Sequence, residues 1–155
     1  MTLFRLLHVL ALFWMTVGIG AVVVPIWRAW TAKELEIKVI LLSEAQQNEA
    51  RWLIPGVIAT VFTGFGWAAA ADVNLVLTGW LLAKELIFAL DVFIFIPLMG
   101  VGLRRVRLLA LQAQKTGAMT PELQSALDDN VPVVFGTVLA ITIPVLAALA
   151  IVRPF

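Results

Sequence analysis

Four apolar stretches, at roughly 3–27, 52–71, 75–102 and 131–152, constrain this chain more than any other feature it has. Each reaches the ~20 residues that a helix needs to cross a ~30 Å hydrocarbon layer. In such a layer backbone amides and carbonyls must be bonded within the protein, and a run of this kind does so by folding as a helix. Of the 155 residues 62% are hydrophobic and 14% charged, with mean hydropathy +1.01. Soluble domains carry about 45–50% apolar and about 25% charged residues. The expectation is an all-α, polytopic membrane protein, a four-transmembrane-helix bundle forming one membrane domain over residues 1–155.

The composition also excludes a good deal. There is no Cys, so no disulfide, thiolate metal site or cysteine nucleophile. His8 is the single histidine, which rules out a multi-histidine metal site within one chain, and the absence of Tyr removes phenol chemistry. A net charge of +1 gives no case for nucleic acid. Arg5 precedes an apolar run that extends to Trp27, far beyond the ~7–15 residues of a signal-peptide core, so the first run reads as a retained anchor.

Orientation follows from Lys and Arg. Arg28, Lys33, Lys38 and Arg51 surround the first connection, and Arg104, Arg105, Arg107 and Lys115 the second long one. The opposite side holds only Arg5 and Arg153, with none in the turn Asp72-Val73-Asn74. Cytoplasmic loops carry the positive excess, which places both termini on the periplasmic side of a bacterial inner membrane. Trp27, Trp30, Trp52 and Trp67 fall near span ends, where amphipathic rings prefer to sit.

The connections read as ordered. Thr31-Ala-Lys-Glu34 has the pattern of a capping box. Residues 34–49 then mix charges with Leu35, Ile37, Ile40 and Leu41, as an interfacial helix between the first two spans would. The third span continues helical through 104–114 to Gly117, and Thr120-Pro121 starts a short helix. Asp128, Asp129 and Asn130 precede the fourth span, near the positive end of its dipole. Small residues recur every four positions at Gly56, Thr60, Gly64 and Ala68, and again at Gly136, Ala140, Pro144 and Ala148. Such ridges let helices approach in lipid, either inside one bundle or across a homodimer seam. Pro97 and Pro144 are expected to kink their helices.

The chemistry concentrates in the third span, which carries Lys84, Glu85 and Asp91. Ionisable groups in hydrocarbon cost several kcal/mol unless paired, wetted or turned inward, and so mark functional or assembly sites. Lys84 and Asp91 are seven apart, nearly on one face and about 10 Å apart along the axis. Trp80, one turn before Lys84, is placed to offer its ring to the ammonium. His8 on the first span lies at a depth similar to Lys84. One reading is a ligand or redox pocket bounded by His8, Trp80, Lys84, Glu85 and Asp91. The other has Lys84 neutralised by Glu85, Asp91 or a partner chain and serving packing alone. Arg104-Arg105-x-Arg107 is a topology signal or a grip on anionic lipid headgroups.

The stretches LLHVLALFWMTVG, EARWLIPGVIATVFTG, GWLLAKELIFAL and DNVP…AIVRPF resemble the small four-helix membrane proteins that include the HemJ-type protoporphyrinogen oxidases. They are similarly close to a related family of predicted integral membrane proteins without assigned function, and more distantly to copper-resistance D proteins. The resemblance to the HemJ type implies haem b, with His8 as the axial iron ligand and Lys84 tied to activity. Asn130, Pro132 and Arg153-Pro154-Phe155 match that family's Asn-x-Pro and basic-Pro-Phe motifs. Its further histidine late in the third span is absent, since this chain has Asp91 and Phe93 there.

Three function classes follow. The first is an accessory or scaffold subunit of a larger membrane complex, partnered by lipid and by other subunits or a second copy. The second is a b-type haem-binding protein or tetrapyrrole oxidase. The third is a small transporter or proton pathway through Lys84, Glu85 and Asp91, for which four spans without an inverted repeat leave little room. The missing second histidine puts the accessory reading first.

Overall fold

The structure, a computed structural model, describes residues 2–72 and 78–152. The turn residues Val73 and Asn74, the expected start of the third span at Leu75, and the terminal Arg153-Pro154-Phe155 lie outside them. The described residues form five helices: α1 (Thr2–Thr31), α2 (Leu35–Ala70), α3 (Gly79–Thr116), α4 (Pro121–Asp128) and α5 (Val131–Val152). Four of the helical stretches are long and apolar enough to cross a membrane, the last being α4 and α5 taken together.

The charge-mixed segment expected at the interface is helical from Leu35 but does not lie apart from the second span. It runs into that span as one helix through a widened π turn at Glu49–Leu53. The third span has a matching π turn at Asp91–Phe95. A proline explains each. Pro55 and Pro97 stand two residues past the ends of the π turns and have no N–H to give the carbonyl four residues back. In each case the preceding isoleucine reaches back five residues instead, Ile54 to Glu49 and Ile96 to Asp91.

The capping box expected at Thr31 is not formed. Thr31 still belongs to α1, its hydroxyl bonded to the carbonyls of Trp27 and Arg28, and Glu34 caps α2 without a side-chain bond. A threonine at a helix C-terminus satisfies the carbonyls nearest to it, which removes it from the next helix. The other stop and start signals hold. Gly117 ends α3 with φ 73°, a left-handed conformation natural to glycine, and the Thr120 hydroxyl accepts from the Leu123 amide above Pro121. Asn130 turns the chain between α4 and α5 with φ 52°, and its side chain donates to the Asp128 carbonyl at 2.7 Å.

The bundle has a closed half and an open half. Ile19 to Ala29 of α1, Val39 to Val57 of α2, Ile96 to Ala113 of α3 and Leu123 to Leu127 of α4 supply most of the buried core. Polar side chains fasten this half. Lys38, buried, donates to the Ala29 carbonyl at 2.8 Å and so completes the C-terminus of α1. Asn48 donates at 2.9 Å to the carbonyl of Ala21, the very carbonyl that Pro25 leaves without an amide. The indole of Trp30 holds the Leu127 carbonyl of α4 at 3.0 Å. In the other half α1 and the outer part of α2 pack on each other, and the outer part of α3 packs on α5. A hollow lies between these two pairs.

Candidate functional site

Small residues build the wall that carries His8. A Cβ on Gly56 would come 2.9 Å from the Met15 backbone, and one on Gly18 would come 2.8 Å from that of Leu53. The glycines therefore let α1 and α2 touch backbone to backbone. The same antiparallel register carries His8 to Thr63, where Nδ1 and Oγ1 are 3.2 Å apart. The imidazole lies over Gly64, where a Cβ would come within 3.1 Å of it, and stacks on Trp67 with centroids 6.0 Å apart. Of the first small ridge, Gly56, Thr60 and Ala68 are buried, so the seam serves packing within the bundle. The second ridge is buried at Gly136 against Val23 and Met99, while Pro144 and Ala148 are exposed.

The surroundings of His8 fix its tautomer. Thr63 donates its hydroxyl hydrogen to the Ala59 carbonyl at 2.6 Å, which leaves Oγ1 to accept from the ring. The Thr60 carbonyl also faces the ring. The Thr63 contact thus assigns the hydrogen to Nδ1, which makes Nε2 the acceptor nitrogen.

His8, Lys84 and Glu85 line one hollow of about 600 Å³, within the size range of small-molecule and cofactor sites. Leu12 and Met15 of α1, Phe88 of α3 and Ile143 and Leu146 of α5 make most of its surface apolar. Phe65, Leu86 and Phe93 line it and are themselves exposed, so the hollow opens sideways, to whatever surrounds the helices. Lys84 Nζ is 3.7 Å from Glu85 Oε1, with the ammonium the deeper of the two, 18% against 40% exposed. Its charge also reaches the His8 ring.

Trp80 and Asp91 stand outside the lining. Trp80 is one turn above Lys84. Asp91 is two turns below it and buried, facing Thr142 of α5, and its Oδ1 has no hydrogen-bond partner among the described residues. Glu49, the buried acid of the other π turn, sits where Gly100 has no side chain and pairs with Arg104 at 3.6 Å. Arg105 pairs with Asp129 at 3.3 Å and Arg107 donates to Ser43 at 3.2 Å, so these arginines join helices as well as marking one end. Among the described residues no group of three His, Cys, Asp or Glu could hold a metal ion.

Reading the sequence did not single out Thr63, and it treated Gly64 and Trp67 only as a ridge residue and an interfacial ring. A hydroxyl and a glycine side by side on the helix packed against a lone histidine were the available signal.

Four apolar helices around a laterally open, mostly apolar hollow with a few charged and polar groups define the class, a multi-pass integral membrane protein. A family model described as predicted integral membrane protein (DUF2269) matches residues 2–154, and the chain belongs to that family. No curated protein and no solved structure matches it.

Proposed function

We propose that this protein binds a lipid-soluble small molecule in the hollow between its two helix pairs, loading it sideways from the bilayer. The hollow is the observation that carries this reading. A scaffold or accessory subunit, the role ranked first from sequence, has no need of a cofactor-sized space lined by an ammonium and an imidazole. Soluble-protein sites of this volume are mostly apolar with a few converging polar groups, and this hollow has that make-up. The positive-charge asymmetry supports a closed half on the cytoplasmic side of a bacterial inner membrane, with the hollow in the outer leaflet.

The test is mass spectrometry of the organic extract of the purified protein. A molecule co-purifying with wild type and lost from Ala89→Phe, which fills the hollow without touching its charges, supports the reading. Identical extracts from both discard it. The orientation has its own check, since a cysteine at Lys115 should be shielded from an impermeant reagent outside intact cells.

The tautomer of His8 favours haem b as a particular occupant. A metal-bound imidazole characteristically gives its other N–H to a fixed acceptor, as Nδ1 does to Thr63. Nε2 would ligate the iron and Lys84 would pair with a propionate, so the residues fit the group. Bound there, haem would supply one-electron chemistry. A Soret band lost in His8→Ala supports this occupant, and a colourless wild type excludes it.

A further inference from the structure

Resting on the reading of the hollow as a site for a lipid-soluble molecule, we infer that its ligand is a zwitterionic phospholipid with a primary ammonium, its phosphate held by Lys84 and its ammonium by Glu85.

Three observations converge. The first is an ion pair that leaves both its members short of partners. Lys84 and Glu85 are consecutive, and adjacent positions on a helix point about 100° apart, so their heads do not meet squarely. Nζ and Oε1 stand 3.7 Å apart, well beyond the ~2.7–2.9 Å of a charge-assisted hydrogen bond. The contact therefore uses none of the three hydrogens of the ammonium and none of the lone pairs of the carboxylate.

The second is charge complementarity. A singly charged head would satisfy one of the two residues and repel the other. A head carrying both charges meets both, and it brings no net charge into an apolar enclosure, where an unmatched ion is costly. The 3.7 Å between the two protein charges limits the reach of that head. A phosphate and an ammonium joined by two carbons lie at a separation of this order. A primary ammonium, unlike a quaternary one, also has hydrogens to give the carboxylate.

The third is the shape of the hollow. Lys84 is the deeper of the pair, 18% against 40% exposed, so the phosphate goes innermost and the ammonium faces the opening. Phe88 and Val92, one and two turns below Lys84, continue the lining towards the closed half together with Met15, and give an acyl chain an apolar wall. The exposed Phe65, Leu86 and Phe93 leave a second chain its way out to the bilayer.

The test is native mass spectrometry of the purified protein in detergent micelles, titrated with phosphatidylethanolamine, phosphatidylcholine and phosphatidylglycerol of the same chains. Phosphatidylethanolamine should bind at least about fivefold more tightly than either of the others. Glu85→Gln should bring it within about twofold of phosphatidylcholine and tighten phosphatidylglycerol several-fold. Lys84→Met should weaken it about tenfold, with an unchanged SDS unfolding transition in both variants as the check on folding. Ala89→Phe should abolish the tight binding of all three. Equal affinity for the three lipids, lost in Ala89→Phe, overturns this inference and leaves a hollow indifferent to the head. Tightest binding of phosphatidylglycerol by wild type overturns it as well and gives the site to anions. Lipid binding that Ala89→Phe leaves untouched removes the reading on which the inference rests.

Discussion

Replacing Gly56 by alanine should separate α1 from α2 and disturb a histidine two turns away. The added Cβ would lie 2.9 Å from both Cα and N of Met15 and 3.3 Å from the Trp14 carbonyl carbon. Carbon atoms rest about 3.5–4.0 Å apart, so the helices must part by roughly 0.6–1.1 Å locally. The atoms in the way are backbone, which cannot rotate aside as a side chain can. Overpacking of this kind costs about 1–3 kcal/mol. Alanine regains up to about 1 kcal/mol in helix propensity, so the net loss against wild type is up to about 2 kcal/mol, and the clash itself is read against a glycine-to-alanine change that meets nothing. Gly18→Ala, at 2.8 Å from Leu53, should behave alike, and the double variant should cost less than the sum, because one separation makes room for both. Gly20 is the control on the same helix. No atom lies within 4 Å of its built Cβ, so Gly20→Ala should be neutral or stabilising. The measurement is unfolding by SDS in maltoside micelles, followed by tryptophan fluorescence. If Gly56→Ala matched Gly20→Ala within about 0.3 kcal/mol, the direct backbone contact, and the register argued from it, would be refuted.

Asn48→Leu should cost about 1–3 kcal/mol by leaving the half-buried Ala21 carbonyl without a donor. Pro25→Ala in the same chain should restore much of that loss, since an amide at 25 can bond Ala21 itself; no recovery in the cycle would contradict the assignment. Arg104→Ala strands the Glu49 carboxylate, which is 8% exposed against 55% for its partner, so the loss should fall at about 1–3 kcal/mol rather than at the full value of a buried pair. Adding Glu49→Gln should return part of it, as judged by the same SDS titration. Trp30→Phe removes the bond to the Leu127 carbonyl and should loosen α4, seen as faster amide exchange across 121–128 with little change elsewhere.

The fold was legible because each long apolar run has one workable conformation in hydrocarbon, and because Gly117, Thr120 and Pro121 are local signals that no tertiary contact overrode. Thr31 misled because its hydroxyl could serve the helix behind it as readily as the one ahead. The candidate site was legible only in part. Lys84, Glu85 and His8 were visible as costly residues in apolar runs, and their similar depth followed from counting along the helices. Whether Asp91 joined them could not be read that way. Its neighbours Val92 and Phe93 line the hollow, so depth does not exclude it; its carboxylate faces Thr142 of α5 instead, a direction that counting along the helix does not give. Thr63 and Gly64 acquire meaning only once the backbone contacts at Gly18 and Gly56 have set which residue of α2 meets His8.

The two π turns show what a closer reading of the sequence holds. Glu49 and Asp91 each stand five residues before an isoleucine and six before a proline, and each is buried at the first position of its widened turn. The proline removes an amide, the turn widens, and the helix beyond is rotated relative to the helix before. In α2 this joins a charged segment to an apolar span without a break, with Glu49 anchored to Arg104 across the bundle. In α3 the widened turn lies at the boundary between the closed and open halves, just below Lys84 and Glu85. The direction in which the outer part of α3 leaves the closed half is therefore set at 91–95, and with it the width of the hollow. Pro97→Ala tests this link. With the amide restored, α3 should straighten, the hollow should narrow, and phosphatidylethanolamine should bind more weakly although no lining residue has changed. Unaltered affinity, with the protein still folded, would mean that α5 alone holds the outer part of α3 in place.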